Sequence, residues 1–105
     1  MNIEARREVV AAAQALADGQ ICFVDGVRRV AAMRSAVSSY DHDPDFLLFV
    51  AIDSESDHLP GNEARDHCSQ AWLQQCDKEA GELEAMYSPG VREACAVLIT
   101  RFASD

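Results

Sequence analysis

Seven consecutive apolar residues, Phe46-Leu-Leu-Phe-Val-Ala-Ile52, restrict the folds open to this chain more than any other feature. A run that is apolar on every side has to be buried, and its periodicity alone does not separate helix from strand. Only Val50 and Ile52 in it are β-branched, and no other stretch reads as a strand that would pair with it. A lone strand is not viable. The run therefore predicts a central, fully buried helix, and with it an all-α protein. Asp43-Pro44 supplies the start signal, because Asp caps helices and Pro fits the first helical position.

The rest of the chain agrees. Alanine is abundant and β-branched residues are sparse, which favours helix on propensity. Residues 2–18 predict a helix with Ile3, Val10, Ala13, Leu16 and Ala17 on one face, capped by Asn2 and stopped by Asp18-Gly19. Residues 20–38 predict a second, with Phe23, Val27, Val30 and Val37 as its stripe and Arg28, Arg29 and Arg34 largely outside it. Gly26 weakens that helix but permits a close approach. Pro60-Gly61 breaks the chain, Asn62 caps a short helix through about residue 68, and Ser69 caps another that runs to residue 87. Ser88-Pro89 repeats the cap-then-proline signal, so a last helix is expected with Val91, Ala94, Cys95, Leu98, Ile99 and Phe102 on its apolar face. Trp72 suits a core position better than an interface anchor. The expected architecture is a compact antiparallel bundle of five or six helices, in a single domain over residues 1–105.

Charge narrows the function. The chain carries a net charge of −9, and the acid is unevenly placed. Residues 1–40 have a net charge of +1, residues 41–66 of −7 with Arg65 as the sole base, and residues 67–105 of −3. Such a surface repels nucleic acid and anionic membranes and attracts basic protein surfaces. The 46–52 run is too short to span a bilayer, and residues 1–20 have no apolar signal core because Glu4, Arg6, Arg7, Glu8 and Asp18 interrupt it. The cytoplasm is the expected compartment. There the four cysteines, Cys22, Cys68, Cys76 and Cys95, are expected to be reduced and to serve as small hydrophobes.

No catalytic or metal motif accompanies these charges. Asp41, Asp43 and Asp45 have the spacing that opens a calcium loop, but its sixth and twelfth positions, which require Gly and Glu, are Phe46 and Ile52. A loop counted from Asp53 fails in the same way at His58. His58, His67, Cys68 and Cys76 match no familiar zinc spacing. The glycines are isolated and form no phosphate loop, and no Ser or Cys sits in a nucleophile-like context. Neither a cofactor nor a metal is expected.

The most informative acids are Asp53, Glu55 and Asp57. A helix continuing through Asp57 would set Asp53 and Asp57 on one face at its negative end, against both charge repulsion and the helix dipole. A solvated turn after residue 52 is the bland alternative. The stretch over residues 43–73, with Asp45-Phe46, the apolar run, Asp53-Ser54-Glu55, Asp57, Leu59-Pro60 and Arg65, resembles a family of small bacterial helical proteins, some of which are similar to immunity proteins encoded beside secreted toxins. The chain departs from that pattern at His67-Cys68, where the family has a bulky aromatic. The resemblance implies no enzyme activity. It implies an immunity-type inhibitor, and the −7 charge of residues 41–66 points to Asp53, Glu55, Asp57, Asp41, Asp45, Glu63 and Asp66 as the acids presented to a basic toxin domain. A carboxylate-using or metal-dependent enzyme built on Asp53, Glu55, Asp57 and the nearby histidines, and a general adaptor or self-associating bundle, remain alternatives.

Overall fold

The computed structural model describes residues 3–38, 42–60 and 64–103, and among these it is all-helical, with no strand. The chain forms α1 (Ile3–Ala17), α2 (Phe23–Val37), α3 (Leu47–Glu55) and α4 (Gln70–Ala103), with a 3-10 turn at Ala64–His67 before α4. Four α-helices replace the expected five or six because the two predicted helices either side of Pro89 are one, 34 residues long, and the short helix expected through about residue 68 is only a 3-10 turn.

Pro89 does not break α4, for a tertiary reason. A helix-interior proline removes one backbone hydrogen bond and crowds the carbonyl four residues back. Both Pro89 and Ala85 are exposed, so water can solvate the freed carbonyl. Beyond Pro89, the buried Val91, Cys95, Leu98 and Phe102 fasten the helix to the core. Packing of one apolar face outweighs the local penalty.

The local signals at the other helix ends act as the residues suggest. Gly19 takes φ +72, Gln20 N–H donates to the Ala15 carbonyl at 2.9 Å, and Gly19 N–H to that of Leu16 at 3.3 Å. This is the Schellman pattern that ends α1. Ser69 Oγ accepts from Trp72 N–H at 3.1 Å and caps α4. The caps expected from Asn2 and Asn62 lie outside the described residues. Asp43-Pro44 starts a turn, not the helix: Asp45 N–H donates to Asp43 Oδ1 at 3.0 Å, and α3 begins only at Leu47.

The helices alternate in direction. Arg6 and Phe102 meet at one end of the α1–α4 pair, while Leu16 and Ala17 share a cavity wall with Glu84 and Val91 at the other. Arg101 meets Asp45 just before α3, and Leu48 of α3 approaches Gly90. The core cluster draws on all four helices through Ala5, Val9, Ala12, Ala13 and Leu16, then Val27, Val30, Ala31 and Val37, then Phe46, Phe49 and Ile52, then the last third of α4. Small alanines on α1 allow its neighbours to approach closely.

Two packing expectations are corrected. The 46–52 run is not buried on all sides: Phe46, Phe49 and Ile52 are buried, but Leu47 is 47% exposed and Ala51 is exposed. α2 and α4 cover α3 incompletely, so one face of it meets solvent. On α1 the buried face follows residues 5, 9, 12, 13 and 16, and Ile3 is 55% exposed. The particle is elongated, 47 × 25 × 25 Å, because α4 is about 51 Å long at 1.5 Å per residue and outreaches its neighbours. No helix among the described residues is long and apolar enough to cross a membrane.

Candidate protein-binding site

The acids singled out in the sequence separate to the two ends of α3. At its start, Asp43 is buried, and its carboxylate accepts from Ser38 Oγ at 2.6 Å, from Asp45 N–H and from Arg101 Nη1. The same Arg101 atom reaches Asp45 Oδ2 at 2.9 Å. Burial works to raise the pKa of Asp43, but the hydrogen bonds from Ser38, the Asp45 backbone and Arg101 together hold it below the ordinary 3.8. Arg101 also lies over the Phe102 ring, 4.7 Å from its centroid. Asp45 is thus half of a clamp that ties the α2–α3 connection to the end of α4. Asp41 and Glu63 lie outside the described residues.

At the far end, α3 stops after Glu55 with Ser56 as its C-cap, between the two alternatives read from the sequence. Asp53 is on the helix and Asp57 is in the following turn, so they are not stacked on one helical face. Asp53 sits near the negative end of the α3 dipole, and Arg28 of α2 compensates. Its guanidinium donates to the carbonyls of Ser56 and Leu59, the latter at 2.9 Å, and its Nε lies 3.8 Å from Asp53 Oδ1. A cation that takes up the orphan carbonyls of a helix C-terminus is favourable on both counts. Glu55 accepts a hydrogen bond from the Tyr87 hydroxyl on α4, and that bond with partial burial raises the Tyr87 pKa.

Beyond this point the chain folds back along the first half of α4. His58 Nε2 pairs with Glu79 Oε2 at 2.5 Å, and hydrogen bonds from His58 and Gln75 lower the Glu79 pKa. Arg65 grips Asp77 through two bonds of 2.8 and 3.1 Å, which raises the arginine pKa and lowers that of the aspartate. Asp57 and Asp66 are exposed, and among the described residues neither carboxylate has an intramolecular partner. Trp72, expected in the core, is 45% exposed.

The cysteines divide into two kinds. Cys76 and Cys95 are buried, Cys22 is exposed, and all four are free thiols. Burial pushes the Cys95 thiol up to about 11, which keeps it protonated and unreactive at neutral pH. His58 is engaged with Glu79, and among the described residues no group of three or more His, Cys, Asp or Glu converges in a way that would hold a metal ion.

Sequence reasoning therefore missed Arg28, Arg101, Ser38 and Tyr87 as partners of the acidic segment. Arg28, Arg101 and Tyr87 lie in other helices, far from residues 43–57 in sequence, and Ser38 lies at the end of α2, five positions before Asp43. The chain matches no protein-family model, no curated protein and no solved structure.

Proposed function

We propose that this protein is an acidic protein-binding module, and specifically an immunity-type inhibitor that binds and neutralises a basic bacterial toxin domain. The observation that supports this reading is how the charges are used. Arg28, Arg65 and Arg101 are engaged with carbonyls and carboxylates of their own chain, while Asp57 and Asp66 face solvent unpaired. The surplus of acid over base is therefore presented outward, where it attracts a basic partner and raises the association rate.

Co-expression and pull-down with the product of the neighbouring gene tests the reading, together with a growth assay for protection. A stable complex that weakens steeply as salt rises from 50 to 500 mM is expected (about a threefold change in screening length). Alanine at Asp53, Glu55 and Asp57 together should slow association. No binding and no protection by the native chain would remove the inhibitor reading. Binding that survives the triple substitution unchanged would move the contact elsewhere on the surface.

A further inference from the structure

Resting on the protein-binding reading, we infer that the partner is held by a basic amphipathic helix lying in a groove along α4, and not chiefly by the acids at the end of α3. The first half of α4, residues 70–86, is poorly covered. Its only buried residue is Cys76, and Met86 is 70% exposed. Beside it is an open cavity of about 270 Å³, between the start of α2, the Leu59-Pro60 segment and α4. Phe23, Leu59, Pro60 and Ala80 give it apolar walls, large enough for one inserted side chain of leucine or phenylalanine size.

The rim supplies the charge. Asp25, Asp77 and Glu84 line the cavity, and Arg65, its one cationic lining residue, is already forked onto Asp77. Across residues 70–86 Asp77 and Glu79 are already paired with Arg65 and His58, which leaves Glu82 and Glu84 against Lys78, with Asp25 facing them from α2. A second copy of this chain would bring like charges together, whereas a basic helix meets its complement. A second cavity of about 410 Å³ shares Cys22, Phe23 and Glu84 with the first and continues to Arg92. From Cys76 to Arg92 the pair spans about 24 Å of helix at 1.5 Å per residue, which matches an occupant of four to five turns.

Gly81 is the separate observation. It lines the first cavity in the interior of α4, and a Cβ built on it would meet nothing within 4 Å. Intramolecular packing does not require glycine there, although glycine weakens a helix relative to alanine. Its bare backbone leaves room for a second helix to approach closely. Helix-in-groove recognition uses this combination of an apolar slot, a charged rim and a close approach.

The test uses the full chain and a fluorescein-labelled 18-residue helical peptide of leucine and lysine, patterned so that leucine forms one face. A scrambled peptide of the same composition is the control, and binding is read by anisotropy. The patterned peptide should bind at least tenfold more tightly than the scrambled one. Gly81→Trp should weaken binding at least tenfold with an unchanged helical circular dichroism spectrum. Gly81→Ala should raise the melting temperature yet weaken binding severalfold, a combination that misfolding cannot produce. Equal binding of the two peptides, or full binding by Gly81→Trp, overturns the groove. So does a dimer in light scattering that Gly81→Trp dissociates, which would make a second copy the occupant. If the neighbouring-gene product is bound equally by Gly81→Trp but lost in the Asp53, Glu55 and Asp57 triple alanine variant, the inhibitor reading stands and the groove falls.

Discussion

The two halves of α4 hold three alanines each, but the first carries four acids and the second only Glu93, and the halves do different work. After Pro89, Val91, Cys95, Leu98 and Phe102 are buried against α1 and α3, and Arg101 locks the end of the helix to Asp43 and Asp45. Before it, among the described residues, Tyr87 bonds Glu55 of α3, and the helix meets the start of α2 and the returning chain through His58–Glu79 and Arg65–Asp77. Those pairs are exposed, and exposed ion pairs contribute little to stability. The second half holds the fold together, and the first half extends past it as available surface. Residue type and place relative to the neighbouring helices together decide which role each half has.

The strongest way to break this comparison is truncation in each half. Leu98 is fully buried, and Leu98→Ala should cost about 3–4 kcal/mol in urea unfolding. Trp72→Ala, in the half-exposed part, should cost under about 1 kcal/mol despite the larger side chain. Equal losses would mean that the first half is as tightly held as the second.

Next in size is the clamp. Asp43→Ala removes a buried carboxylate with three donors and should cost about 2–3 kcal/mol at pH 7, because hydrogen bonds to charged groups are worth more than neutral ones. The sign of its pH dependence follows from the lowered pKa. The stabilisation is present above the ordinary 3.8 and is lost as pH falls through the lower folded value. Unfolding curves of wild type and Asp43→Ala should therefore converge in acid. A gap that stays constant down to pH 2 would show that the carboxylate's charge is not what the clamp uses.

The junction comes third. Alanine at Pro89 restores a helix hydrogen bond and should raise stability by roughly 1–2 kcal/mol, less than the full propensity difference because proline also restrains the unfolded chain. Differential scanning fluorimetry would read this as a higher melting temperature. A lower one would mean that the proline shapes how the two halves meet. The smallest effects should be opposite in sign. Gly81→Ala should gain about 0.5–1 kcal/mol. Gly26→Ala should lose up to roughly 1 kcal/mol, since its Cβ would fall 2.8 Å from Leu16 Cδ1 and 2.9 Å from Ile21 Cδ1.

How much of this was legible in the chain depends on range. Helix ends with short-range chemistry were readable, as at Asp18-Gly19 and Ser69. The valine stripe of α2 was readable from its spacing, and Val27, Val30 and Val37 are all buried. The alanine face of α1 was read less well, because alanine is compatible with both core and surface. The candidate site was the least legible part. Its acids stood out as a charge cluster, but whether each faces solvent or an arginine depends on residues far away in sequence: Asp53 and Arg28 are 25 positions apart, and Asp43 and Arg101 are 58.

Sequence by itself determined that this chain is helical, acidic in its middle and free of a recognisable catalytic motif. Those properties follow from composition and spacing within one or two turns. Only the tertiary structure decided that Pro89 is spanned by a single helix, that Trp72 faces solvent, and that Asp43 and Asp45 hold the fold while Asp57 and Asp66 stay outside. The physical reason is common to all of these. A local penalty or charge is fixed by the residue, but whether it is offset depends on which surfaces the packed helices bring against it.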